Sequence, residues 1–163
     1  MSSKRIVPFL VLGLIYVMYG GLQSSGGENT NNAQLRVHQL ADSLESGSIS
    51  RVEVLHIPTD ILTRARISPQ MLEKQFYCKV VFEAVRGPAS FGKLSDLMKG
   101  ASVRPETEAA DLRWGILFYS GEGKRIGAIY LNGQGTRGYV DETSVSFAGG
   151  LKNWLDGTFS GWK

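Results

Sequence analysis

The sequence predicts one α+β domain with an antiparallel sheet of four to five strands, helices packed mainly on one face, and a hydrophobic helix in front of it. Three observations support this prediction. The length of 163 residues suits one domain, an uncharged apolar segment lies near the start, and strand patterns joined by glycine-rich turns dominate the second half. A hydrophobic fraction of 42% with three Trp excludes disorder of the whole chain, and a single Cys excludes an internal disulfide.

The chain begins with a basic flank, residues 1–5, followed by Ile6–Leu22 without a charge. This pattern is typical of a membrane anchor or of a cleaved export signal, and its length leaves both alternatives open. Because basic flanks stay in the cytoplasm, the rest of the chain would face the other side of the membrane. The absence of disulfides and of glycosylation sequons favours a bacterial inner-membrane protein with its domain in the periplasm, or a periplasmic or secreted one if the signal is cleaved.

Residues 23–32 are rich in Gly, Ser and Asn and contain no large apolar side chain, so they are expected to form a flexible linker. The folded domain would then cover residues 33–163. Apolar residues from Leu35 to Leu44 follow a helical stripe, and Gly47 is expected to end this helix.

Two elements follow in the first half of the domain. Residues 50–57 alternate, with Val52, Val54 and His56 on one face, which predicts a strand. Ser68 followed by Pro69 is typical of a helix N-cap with proline at the first helical position. This pair predicts a short helix that reaches about Gln75.

Residues 76–85 form the clearest strand pattern of the first half, with an inward set and a more exposed set. The inward set is Cys78, Val80, Phe82 and Ala84, and the exposed set is Tyr77, Lys79, Val81 and Glu83. Ser90 is expected to cap a helix that carries Phe91, Leu94, Leu97 and Met98. The polar residues 100–110 are expected to form a loop.

From residue 111 onward the pattern predicts a β-meander of three strands, at residues 112–120, 124–131 and about 138–140. A closing helix is expected from the helical spacing of Leu151, Trp154, Leu155 and Phe159. In the first meander strand, Trp114, Ile116 and Phe118 are expected to pack on the helices. Arg113 and Tyr119 would then lie on the open face.

The charge balance argues against nucleic acid as a partner. The chain carries 18 Lys and Arg against 15 Asp and Glu, and two of the basic residues lie in the first segment. The remaining net charge of about +1 lacks the dense basic stripe that a polyphosphate backbone requires. The Gly133–Gly138 string matches a dinucleotide-binding fingerprint, but a strand pattern follows it where a helix is required, so a hairpin turn is the better interpretation.

Neither a cofactor nor a catalytic metal site is expected. The two histidines, His38 and His56, cannot close a transition-metal site without a Cys cluster, although His56 with Asp60 could contribute to an open one. We expect His38 to be exposed and His56 half-buried at the end of its strand. Cys78 is expected in the core, where a thiol is inert.

Carboxylates are the remaining enzymatic possibility, because paired acids alone can hydrolyse glycosides. Two acidic groups exist, one formed by Glu106, Glu108 and Asp111 and the other by Asp141 and Glu142. No motif fixes the geometry of either group, so a carboxylate-dependent hydrolase is a weaker alternative than the two binding functions considered below.

A protein interface requires no such fixed spacing, and Tyr and Arg are enriched where one protein contacts another. If a loop inserts into a partner, the acidic residues Glu106, Glu108 and Asp111 are the candidates. If the sheet face makes the contact, the candidates are Arg113, Tyr119 and Arg125.

The run from Trp114 to Val140, followed by Val145-Ser-Phe and Leu151-Lys-Asn-Trp-Leu, resembles the end of small exported bacterial proteins, some of which are similar to immunity proteins. In such proteins a β-meander leads into a terminal helix. The resemblance implies a periplasm-facing protein that neutralises a toxin or hydrolase by steric occlusion. The alternative from another class is a structural or assembly subunit of an envelope complex, held by its N-terminal helix.

Overall fold

The computed structural model describes residues 28–84 and 91–162, with side chains from residue 32 onward. The predicted hydrophobic helix at Ile6–Leu22 and the predicted cap at Ser90 lie outside the described residues. Within the described ranges, every helix is too short or too polar to cross a bilayer.

The described residues form an α+β fold of four helices and seven strands. In chain order these are α1 (Glu28–Glu45), β1 (Arg51–His56), α2 (Pro69–Gln75), β2 (Cys78–Glu83), α3 (Gly92–Lys99), β3 (Ser102–Pro105), β4 (Leu112–Tyr119), β5 (Arg125–Asn132), β6 (Arg137–Val140), β7 (Thr143–Ala148) and α4 (Leu151–Thr158).

The strands build one sheet in the order β2-β1-β4-β5-β6-β7-β3, and every pair of neighbours is antiparallel. The prediction of four to five strands was therefore wrong by the two strands β3 and β7. β3 lies within the predicted loop of residues 100–110, and Val103 is its one buried side chain. β3 pairs with β7, which lies about 40 residues later in the chain, and a local sequence pattern cannot indicate such a pairing.

α1 begins at Glu28, so the last residues of the predicted linker are helical. Its apolar stripe is buried against the sheet except at Leu35, which is 54% exposed. Val37, Leu40 and Leu44 have no exposed surface. Each such side chain contributes about 1.5–3 kcal/mol through burial. Gly47 adopts a φ of 77°, which confirms the expected stop, because a left-handed residue ends a helix at low cost only when it is glycine.

α2 starts as the sequence predicts. Ser68 accepts a hydrogen bond from the Met71 N–H at 3.3 Å, and Pro69 occupies the first turn. The helix ends at Gln75. A local cap and a proline are enough to set both the start and the direction of a helix of this length.

Both faces of the sheet are covered, by two separate cores. α1, α3 and α4 pack on one face, whose strand residues include Val54, Ile116 and Ile129. α2 and the segment of residues 57–67 cover part of the other face, around Leu117 and Tyr130. Trp114, Ile116 and Phe118 all belong to the first core, as the alternation predicts.

Candidate functional site

Arg113 was expected on the open face, and this prediction was wrong because the segment of residues 57–67 folds over it. The residue is 8% exposed and donates to the carbonyls of Pro58 at 3.1 Å and Ile61 at 3.0 Å. It also pairs with Asp111 at 2.8 Å, and the Asp111 carboxylate accepts from the Ile67 N–H at 2.9 Å. Arg113 and Asp111 therefore hold the segment against the sheet.

Glu106 and Glu108 lie in the loop between β3 and β4. Glu106 accepts a hydrogen bond from the Thr107 N–H at 2.9 Å, and Glu108 pairs with Arg137 of β6. The Glu108 side chain is well exposed. Glu106 and Glu108 therefore lie at the surface, whereas Asp111 contacts Arg113 and the segment of residues 57–67.

Tyr119 lies on the open face in a network of charges centred on Glu53. The Arg51 guanidinium carbon is 4.3 Å from the Tyr119 ring centroid, and the Tyr119 hydroxyl donates to Glu53 at 3.4 Å. Lys79 of β2 is 2.9 Å from the Glu53 carboxylate, which the sheet almost completely buries. Burial, followed by the negative charge of Glu53, raises the pKa of Tyr119.

Arg125 takes part in a second network that ties α2 to β5. It pairs with Glu73 at 2.8 Å, and both side chains contact the hydroxyl of Tyr130. Tyr130 is 1% exposed, and burial followed by the Glu73 hydrogen bond raises its pKa. The network lines a polar cleft of about 790 Å³ together with the pair of Arg36 and Asp141. The charges that line this cleft are paired with each other.

Asp141 joins α1 to the turn between β6 and β7. Its Oδ2 accepts from Arg36 at 2.7 Å and its Oδ1 from the Ala128 N–H at 2.8 Å, while its backbone adopts a φ of 52°. Both oxygens are thus engaged in holding the fold. The neighbouring Glu142 is exposed, and the geometry gives no support to a pair of catalytic acids here.

An exposed surface of apolar and charged side chains lies at the edge of the sheet. It consists of Phe76, Tyr77, Lys79, Val81 and Glu83, and we refer to it as the β2 surface. Tyr77 is 73% exposed and Val81 44%, although both are large hydrophobic side chains. β2 is the last strand of the sheet on this side, and within the described residues no strand pairs with its outer edge. The sequence pattern had already placed Tyr77, Lys79, Val81 and Glu83 on the exposed side.

A second cleft, of about 510 Å³, opens at the end of β1 and is called the His56 cleft here. His56 is stacked on Trp114 of β4, with ring centroids 3.8 Å apart and planes inclined by 26°. Trp162 is stacked on Phe159 at 4.6 Å and lies nearly parallel to Trp114, at an angle of 11°. Asp60, Lys152 and Asp156 line the same cleft.

His56 was expected to be half-buried, but it is 5% exposed and its Nδ1 is buried without a hydrogen-bond partner among the described residues. Burial, reinforced by the nearby Lys152, lowers the pKa of His56 to about 4. The ring is therefore neutral at pH 7. Sequence reasoning paired His56 with Asp60, but it missed the aromatic residues of the cleft because they come from distant parts of the chain.

The described residues contain no group of side chains typical of a metal site. Among residues 28–84 and 91–162, no three His, Cys, Asp or Glu side chains are grouped so that they could hold an ion. Cys78 was expected in the core, but it is the first residue of β2 and only partly buried. His38 is partly exposed and lies 2.8 Å from the Gln34 amide nitrogen, on the helix α1.

No protein family, no curated protein and no solved structure matches this chain. The resemblance to exported proteins of immunity type therefore stays a prediction.

Proposed function

We propose that this chain is a protein-binding domain that contacts one partner through the β2 surface. The observation that carries the proposal is the exposure of Phe76, Tyr77 and Val81 within a few residues of each other at the edge of the sheet. Exposed apolar side chains that are grouped at one place mark interaction sites more often than single ones do.

The chemistry of the β2 surface suits recognition of a protein. Tyr supplies a large contact area with a polar tip, and such residues are enriched in binding hot spots. The outer edge of β2 also offers main-chain groups to an extended segment of a partner, which is a recurrent mode of peptide recognition. Lys79 and Glu83 on the same strand would discourage indiscriminate edge-to-edge association of copies of the chain.

The neighbouring charges are held in place before binding. Glu53 fixes Lys79 at 2.9 Å and Arg51 at 3.6 Å, and Arg51 covers the Tyr119 ring. A partner that binds here would therefore order few additional side chains, which lowers the entropic cost of association. Of the residues expected at an interface from sequence, Tyr119 is the one that adjoins this surface.

The role that we propose is inhibition of a toxin or hydrolase at the bacterial envelope by steric occlusion. It is supported by the apolar segment Ile6–Leu22 with its basic flank, which would direct the domain to the periplasm. Complementary charge around the apolar contact would give such a complex its specificity.

The test is affinity capture from envelope extracts of the organism's own cells, with the full chain as bait and mass spectrometry of the bound proteins. We expect one stoichiometric partner that carries a toxin or hydrolase domain, and at least about a tenfold loss of it with the double variant Tyr77→Ser/Val81→Lys. Leu62→Ser is the matched control, because Leu62 is 95% exposed but lies outside the β2 surface.

The outcomes separate the alternatives. If Tyr77→Ser/Val81→Lys captured as much of the partner as the control Leu62→Ser, another surface would have to bind it. Capture of several membrane proteins, lost when an unrelated cleavable signal replaces Ile6–Leu22, would instead indicate an assembly subunit. A partner whose activity is unchanged in the purified complex would exclude inhibition while leaving protein binding intact.

A further inference from the structure

We propose that the His56 cleft binds one or two rings of a neutral saccharide, stacked on its aromatic floor and hydrogen-bonded at its acidic rim. This proposal is independent of the β2 surface, because His56 and the exposed residues of β2 lie on opposite faces of the sheet. It rests on the size of the cleft, on its aromatic floor and on the polar groups around it.

The floor of the cleft is aromatic. Its rings stack on one another, with Trp114 and Trp162 inclined by 11°, Phe159 and Trp162 by 27°, and His56 and Trp114 by 26°. Trp114 is 4% exposed and Phe159 8%. Trp162 is only partly buried. A pyranose ring has an apolar face of C–H groups that fits against such a surface. The volume of about 510 Å³ lies within the range of small-molecule sites.

The rim carries both donors and acceptors of hydrogen bonds. Asp60 and Asp156 offer carboxylate oxygens, and Lys152, which pairs with Asp156 across one helical turn, offers an ammonium group. Hydroxyl groups both donate and accept, and hydrogen bonds with charged partners are the stronger kind.

The charge of the cleft favours a neutral ligand over an anionic one. Two carboxylates face one ammonium group, the nearby Arg113 is paired with Asp111, and His56 is neutral at pH 7 because burial keeps its pKa low. The excess negative charge would repel the phosphates of a nucleotide. Stacking alone would accept a nucleobase as readily as a sugar, so the rim decides between them.

The test uses the full chain, titrated with cellobiose, maltose and N,N′-diacetylchitobiose, and follows tryptophan fluorescence and calorimetric heat. Saturable binding of at least one disaccharide below about 10 mM is expected. Asp156→Asn and Lys152→Ala should each weaken it by about tenfold. Lys99→Ala is the matched control, because Lys99 pairs with Asp42 and Glu45 on the helices α3 and α1, outside the cleft, and should leave the affinity unchanged.

Trp162→Ala should abolish the fluorescence response and the heat together, with an unchanged circular dichroism spectrum showing that the fold is intact. Three results would overturn the proposal. These are no saturation by any of the disaccharides, equal binding by Asp156→Asn and Lys99→Ala, or saturable binding of tetramethylammonium or adenosine monophosphate that the disaccharides do not compete with.

Discussion

Arg113 and Glu53 are buried charged residues of the sheet, and the charge of each is compensated in a different way. Arg113 donates to two backbone carbonyls and one carboxylate, whereas Glu53 receives two cations and a tyrosine hydroxyl. Alternation along the strands predicts which face each residue occupies. It does not predict burial, because that depends on which loop or helix covers the face.

Replacing Arg113 with Met should lower the free energy of unfolding by about 2–4 kcal/mol, because the carbonyls of Pro58 and Ile61 and the Asp111 carboxylate lose their donor. Arg137→Met should lower it by less than about 1 kcal/mol, since its pair with Glu108 is exposed. Urea unfolding of both variants measures the difference, and equal losses would contradict the role assigned to Arg113.

His56 should make stability depend on pH. Its pKa falls from 6.5 to about 4 in the folded chain, so between these values the unfolded chain binds the additional proton. The free energy of unfolding should therefore fall as the pH drops through this window, by on the order of 3 kcal/mol in total. Denaturant unfolding at pH 7 and pH 4.5 should show a smaller difference for His56→Phe than for the wild type. His38→Gln serves as the control and should keep the full difference.

At the scale of elements, local signals set most boundaries. The Ser68 cap and Pro69 predict α2 to its last residue, and glycine-bounded turns predict β4, β5 and β6. β7 is not among the predicted strands, although Val145 and Phe147 alternate and are both buried. β3 offered no such alternation, since its side chains other than Val103 are exposed.

Gly138 lies in β6, directly after the glycine-rich turn, and its role in strand pairing can be tested. A Cβ at Gly138 would lie 1.7 Å from the Tyr130 carbonyl oxygen, so β5 and β6 pair only because this residue has no side chain. Gly138→Ala should lower the free energy of unfolding by about 3 kcal/mol or more. Gly157→Ala, which meets nothing within 4 Å in α4, should instead raise it by up to about 1 kcal/mol. Urea unfolding would refute this account if Gly138→Ala were neutral.

At the scale of the whole molecule, the strand order decides which surfaces exist. β1 is inserted between β2 and β4, and this places β2 at one edge and β3 at the other. The central strands are covered by α1, α3 and α4 on one face and partly by α2 on the other. The edge position of β2 is what exposes Tyr77 and Val81.

Hydrogen exchange should follow this order. Amides of β4 and β5 should exchange slowest, close to the rate set by global unfolding, while those of β2 and β3 should exchange faster because each of these strands has one pairing neighbour. Exchange followed by NMR spectroscopy measures these rates. If β2 amides were as protected as those of β4, its outer edge would be covered, and the β2 surface could not bind a partner as proposed.

The sequence by itself determined the class of the fold, the two sides of each long strand, the cap of α2 and the turns of the meander. These features depend on residues a few positions apart, whose periods and dihedral preferences act locally. The tertiary structure alone decided the strand order, the burial of Arg113 and the His56 cleft. In that cleft His56, Trp114 and Trp162 meet from distant positions, because β1 pairs with β4 and α4 folds back on the same face. Long-range pairing depends on the energy of the whole core, which no local pattern encodes.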